Sequence, residues 1–70
     1  MERKCIESSV IRSIGFDSSS SVLEIEFNNG RVWQYFDVPE SLWHEFEAAD
    51  SQGRFFNREI KSQYPESQVG

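Results

Sequence analysis

Asn29-Gly30, set between the apolar-rich runs Val22–Phe27 and Arg31–Phe36, constrains this chain more than any other pair of residues. Asn-Gly is the strongest short hairpin signal, because both central residues of a two-residue type I′ turn need positive φ. A turn of that kind pairs Asn28 with Arg31, Phe27 with Val32, Glu26 with Trp33, Ile25 with Gln34, Glu24 with Tyr35 and Leu23 with Phe36. Two faces follow from the twofold period of a strand. Leu23, Ile25, Phe27, Val32 and Phe36 share one, interrupted only by Gln34, and read as core. Glu24, Glu26, Arg31, Trp33 and Tyr35 share the other, which places two large aromatics among carboxylates on the expected wet side.

Seventy residues supply one small domain, able to withdraw roughly 60% of its unfolded surface from water and stable by about 3 to 5 kcal/mol. Six Phe, two Trp and two Tyr argue against disorder, since large rings provide much of the burial a short chain needs. The expectation is a single domain over 1–70, with an ordered core from about residue 8 to 65. No apolar run approaches 18 residues and Met1-Glu2-Arg3-Lys4 leads into no hydrophobic segment, so neither a membrane span nor a signal peptide is expected. The lone Cys5 has no partner thiol, which fits a reducing, cytoplasmic setting.

A net charge of −5 works against nucleic acid, whose affinity comes from Lys and Arg displacing counterions. The acidity is local, however: residues 37–50 carry −5, whereas residues 51–64 carry +2.

Along the chain, Ser9–Phe16 reads as a first strand with Gly15 marking a bulge, and Asp17–Ser20 as a turn. With the hairpin this makes a three-stranded antiparallel meander. At Val38-Pro39-Glu40 the apolar period changes to 3.6, and Pro39 or Glu40 opens a helix with Leu42, Phe46 and Ala49 on one stripe and Trp43 at its border. Ser51 caps a second helix, from Gln52 or Arg54 to Gln63, that Pro65 stops. On it Phe55, Phe56, Ile60 and Gln63 face one way, and Arg54, Arg58 and Lys61 the other. The fold class is therefore α+β, β-β-β-α-α. Its core combines the first hairpin face with Ile14 or Val10, Leu42, Phe46, Phe56 and Ile60. Residues 66–70 offer no pattern that would order them.

Gly30-x-x-Trp33-x-Tyr35-x-x-Val38-Pro39, followed by Gly53-Arg54-Phe55-Phe56-Asn57-Arg58-x-Ile60 and Tyr64-Pro65, resembles the KTSC domain, a module named for its place at the C-terminus of some lysyl-tRNA synthetases and also found as small bacterial proteins. The resemblance runs from about Ser9 to Pro65. The family pattern has Tyr-x-Tyr where Trp33 here replaces the first tyrosine, keeping a ring and losing a hydroxyl. What the resemblance implies for function is RNA binding.

Trp33 and Tyr35 could stack nucleobases on an open sheet face, or be covered by the second helix. Arg54, Arg58 and Lys61 could hold phosphates with Asn57 beside them, or pair with the acidic first helix. His44 and Cys5 have no partners at catalytic or ligand spacing, and Gly53 serves the turn between helices. No metal site and no cofactor is expected, and no enzyme. The resulting expectation is a non-catalytic monomeric module, off the membrane, that binds single-stranded RNA or tRNA weakly through Trp33, Tyr35, Arg54, Asn57, Arg58 and Lys61. The alternative is a protein–protein interaction module built on the same anchors.

Overall fold

The hairpin turn holds three residues, not two. In the computed structural model, which describes residues 1–70, the Phe27 N–H donates to the Arg31 carbonyl at 2.9 Å and the Gly30 N–H to the Phe27 carbonyl at 2.9 Å. Gly30 takes φ +88° while Asn28 and Asn29 stay at negative φ. This is a type I turn closed by a left-handed glycine, the common three-residue hairpin loop. The Asn29 Oδ1 steadies it by accepting from the Arg31 N–H at 2.9 Å.

That extra loop residue moves the register by one: Leu23 faces Tyr35, Glu24 faces Gln34, Ile25 faces Trp33 and Glu26 faces Val32. A slip of one residue exchanges the faces of a strand. Trp33 and Tyr35 therefore stand with Leu23 and Ile25 on the helix-covered side, and Val32 and Gln34 stand with Glu24 and Glu26 on the other. The two-residue turn, and with it the assignment of Val32 and Phe36 to the core, is corrected.

The strands are β1 (Lys4–Cys5), β2 (Ile11–Asp17), β3 (Val22–Phe27), β4 (Val32–Tyr35) and β5 (Glu66–Gln68). They form one antiparallel sheet in chain order. The class is α+β as expected, with five strands in place of the three-stranded meander. The two added strands are short, polar and exposed, so their residues carry no burial pattern. They are strands because β2 and β4 would otherwise leave a row of N–H and C=O groups unpaired. The pairing extends to the very end, where Val69 N–H donates to the Val32 carbonyl at 2.8 Å.

The bulge in the β2–β3 pairing falls between Ile11 and Ser13, with Arg12 as the extra residue, not at Gly15. Gly15 pairs regularly with Glu24. Its missing side chain answers to something else: a Cβ there would sit 2.4 Å from the Glu2 carbonyl oxygen, where the N-terminal segment crosses the sheet.

Helix α1 (Glu40–Ala48) opens after Pro39 and buries Leu42 and Phe46. Helix α2 (Gln52–Phe55) starts at Ser51, whose Oγ accepts from the Arg54 N–H at 3.2 Å. It continues directly into a π-helical turn, Phe56–Ile60, closed by the Lys61 N–H donating to the Phe56 carbonyl at 2.8 Å. Ser62 then takes φ +64° and ends the helix three residues before the expected Gln63. Ile14 and not Val10 lies in the core, the latter being 47% exposed. Phe46, Ile11, Ile14, Leu23, Ile25 and Ile60 are fully enclosed between sheet and helices.

The helix-free face of the sheet is polar and internally bonded. Arg3 reaches Glu24 at 2.8 Å, Gln34 donates to the same carboxylate at 2.8 Å, and the Ser13 hydroxyl donates to Glu26 at 2.9 Å.

Candidate functional site

Six side chains were singled out by sequence, and the fold separates them. Tyr35 is 2% exposed, its ring meeting Phe56 edge-on at 5.7 Å. Burial, with the charge of Glu66 adding to it, pushes its phenol up to about 12. Trp33 is half-buried against the core. Of the two readings for these rings, cover by the second helix is the one Tyr35 follows, against Phe56, while the open stacking face is corrected: both rings belong to the helix-covered side, for the register reason given above.

Arg54, Asn57, Arg58 and Lys61 are all exposed. Arg54 and Asn57 project from consecutive helical turns into one cleft. Arg58 lies over the Phe55 ring, 5.9 Å from its centroid, and pairs with its neighbour Glu59 at 3.0 Å. Lys61 stands beyond the π-helical turn, so it leaves the stripe that Arg54 and Arg58 begin. None of the four pairs with the acidic α1; the only cation bridging to α1 from another element is Lys4, which holds Glu47 at 2.6 Å. That bond lowers the Glu47 carboxyl below the usual range.

The cleft that Arg54 and Asn57 share is about 450 Å³ and is walled by the segment before β2, Glu7 to Val10, and by the start of α2, Asp50 to Gly53. Its lining mixes hydrogen-bond donors with two carboxylates. The Ser8 Oγ already accepts from the Val10 and Ile11 N–H groups at 3.2 and 3.3 Å, and the Ser51 Oγ from the Arg54 N–H. Both hydroxyls therefore keep an O–H to donate. Arg54 makes no ion pair, and Asn57 adds an amide. Glu7 and Asp50 stand at the same cleft as acceptors. On the other side of Arg54 a second depression, about 480 Å³, carries Arg58, Glu45 and the Ala48-Ala49 corner.

Gly53 is the floor of the first cleft. It lies in the first turn of α2 with ordinary helical backbone, not in the turn between helices. A Cβ there would rest 3.6 Å from a Val10 methyl and 3.7 Å from the Ser8 Oγ, an ordinary contact. Neither conformation nor packing demands glycine at this position.

Sequence reasoning missed Ser8 and Ser51 as neighbours of Arg54, because only folding brings the β1–β2 connection to the start of α2. It also passed over Phe16 and Trp43, whose rings stack at 5.7 Å and 12°, with the Lys4 Nζ 5.9 Å from the Trp43 centroid. They edge a depression of about 510 Å³ with Met1. His44 is a solvated side chain between Glu40 and Glu47 of its own helix, at 3.4 and 3.5 Å. No group of three or more His, Cys, Asp or Glu side chains converges as metal ligands would, and no helix is long and apolar enough to cross a membrane.

The KTSC domain profile matches residues 7–64. An uncharacterized protein of Stutzerimonas stutzeri is 39% identical over 64 residues, which is 91% of this chain and 90% of that protein. A lysine–tRNA ligase of Nostoc punctiforme is 36% identical over 63 residues, covering 90% of this chain but 11% of that enzyme. The crystal structure of a KTSC domain protein from Yersinia pestis superposes with a TM-score of 0.96 at 39% identity, over 99% of this chain and 97% of the other. With profile, relatives and fold in agreement over nearly the whole length, the chain belongs to the KTSC domain family.

Proposed function

We propose that the protein is a non-catalytic module that contacts single-stranded RNA or tRNA weakly, through Arg54, Asn57, Arg58 and Lys61. The observation that carries this reading is the cleft in which Arg54, free of any ion pair, stands beside Asn57 and two donating hydroxyls, with Glu7 and Asp50 at the same lining. Groups of this kind position a sugar-phosphate backbone. The likeness to lysine–tRNA ligases, which carry a similar stretch in a small part of their length, gives RNA preference over other polyanions. Contacts are to phosphate and sugar, since Tyr35 is enclosed and Trp33 presents only part of its ring. The net charge of −5 keeps the affinity low. Titrating labelled protein with short mixed-sequence RNA, followed by amide shifts, tests it. Shifts at Arg54, Asn57 and Arg58 are expected, and their absence at millimolar RNA would end the reading.

A protein partner is the second reading. It is favoured by the Phe16–Trp43 stack, a partly uncovered aromatic pair beside Lys4 of the kind that anchors small interfaces. A partner held there would stay bound at moderate salt and would be lost with Trp43→Ala.

A further inference from the structure

We infer that the cleft floored by Gly53 accepts one ribose-phosphate unit of an RNA strand, and that it distinguishes ribose from deoxyribose. This inference rests on the RNA reading above and adds to it a subsite and a specificity. Three observations lead to it.

First, Gly53 is unexplained by the fold. A glycine in a helical turn weakens the helix relative to alanine, the position has no positive φ, and a Cβ would fit without strain. Since that Cβ would point at Ser8 and Val10, its absence keeps the floor of the cleft open and lets a bound group approach the α2 backbone.

Second, the donors converge from two separate elements. Ser8 comes from the β1–β2 connection, and Ser51, Arg54 and Asn57 from α2 and the turn that follows it. Each serine hydroxyl has its acceptor role occupied by a backbone N–H, so the proton that remains is free for an incoming oxygen. Arg54 contributes the only positive charge in the cleft and has no internal partner for it.

Third, the cleft holds two carboxylates as well, Glu7 and Asp50. Neither makes an ion pair or a side-chain hydrogen bond. Two unpaired carboxylates oppose a phosphodiester group by itself, which is anionic and offers acceptors only. A ribose 2′-hydroxyl is a donor and an acceptor together, and it is the group that separates RNA from DNA at a given site. A sugar with its phosphate satisfies both halves of the cleft: Arg54, Asn57 and the serine hydroxyls face phosphate oxygens, and Asp50 accepts from the 2′-hydroxyl. Asp50 is the carboxylate chosen because it lines the depressions on both sides of Arg54.

The test compares U6 RNA with dU6, which differs from it only in the 2′-hydroxyls, by amide shifts on the full chain, with inorganic phosphate as a third probe. U6 should shift Ser8, Ser51, Gly53, Arg54 and Asn57 and bind roughly three- to tenfold more tightly than dU6, the range of one net hydrogen bond. Phosphate alone should bind more weakly than either. Gly53→Ala should remain folded, melt no lower than the native protein, and lose affinity for U6. Asp50→Asn removes a repelling charge, so it should strengthen dU6 binding while bringing the ratio of U6 to dU6 affinity toward one. Equal affinity for U6 and dU6, or full affinity in Gly53→Ala, would overturn the inference. Shifts confined to Arg58 and Lys61 would overturn it too while leaving RNA binding in place. Silence from both oligonucleotides would remove the RNA reading itself.

Discussion

The ring of Phe56 stands edge-on to Tyr35, with centroids 5.7 Å apart and planes inclined at 71°, and meets Phe27 in the same way at 5.3 Å. One side chain at the start of the π-helical turn thereby ties α2 to both β3 and β4. Phe56→Ala should cost about 3 to 5 kcal/mol, comparable to the whole stability of a domain this small. Urea unfolding measures it, and a variant with a midpoint near the native one would take Phe56 out of the core.

Tyr35 makes the stability fall at alkaline pH. Its phenol is pushed up to about 12 by burial, with Glu66 adding to the effect, whereas the unfolded chain releases the same proton near its ordinary value of about 10. The folded state holds the proton more tightly, so the contribution is fully present below about pH 10 and is lost as pH rises through 12. A shift of about two units corresponds to roughly 2 to 3 kcal/mol. Urea midpoints of the native protein and Tyr35→Phe between pH 8 and 12 should diverge in slope above pH 10. Parallel slopes would exclude this phenol as the source.

The three-residue turn depends on Gly30 at φ +88°. Nothing lies within 4 Å of where its Cβ would go, so replacing it costs backbone conformation and nothing else. Gly30→Ala should destabilise by about 1 kcal/mol and Gly30→Asn by less. Cross-strand NOEs linking residue 23 to 35 and 25 to 33 are the direct check on register; links from 24 to 35 would restore the two-residue turn.

Gly15→Ala drives a methyl into the Glu2 carbonyl, which a Cβ would approach to 2.4 Å. The N-terminal segment should lift away and release the Arg3–Glu24 pair, while the rest of the sheet stays formed. The expected cost is about 1 kcal/mol, given the modest worth of such pairs. Faster amide exchange at Ile6, which donates to the Arg12 carbonyl at 3.1 Å, would report the release. Native exchange at Ile6 would show that the crossing adjusts.

If phosphates are held by Arg54, Arg58 and Lys61, log affinity for single-stranded RNA should fall with log salt with a slope of about −2, the value for three cations on a single strand. Arg58→Glu should abolish binding at low salt. A slope near zero would point to the aromatic pair at Phe16 and Trp43 and to a different kind of partner.

Much of this fold is written locally. Helix α1 follows from the 3.6 spacing of Leu42, Phe46 and Ala49 behind Pro39, the start of α2 from Ser51, and the hairpin from Asn29-Gly30 between alternating strands. These are short-range effects of side-chain period, capping and backbone torsion. The register is different in kind. Asn28-Asn29-Gly30 serves a two-residue or a three-residue loop equally well, because each puts Gly30 at positive φ, and the choice falls to packing: with three, Tyr35 lies against Phe56 and Glu24 takes a hydrogen bond from Gln34 on the polar face. Strands β1 and β5 have no apolar pattern at all and exist because the edges of β2 and β4 need partners. The cleft was equally unreadable, since Ser8 and Arg54 are far apart in the chain and become neighbours only when the sheet and helices pack. Sequence alone settled what each segment could be, through interactions within a few residues, and tertiary structure decided which faces met, because burial and hydrogen-bond pairing are satisfied only between segments distant along the chain.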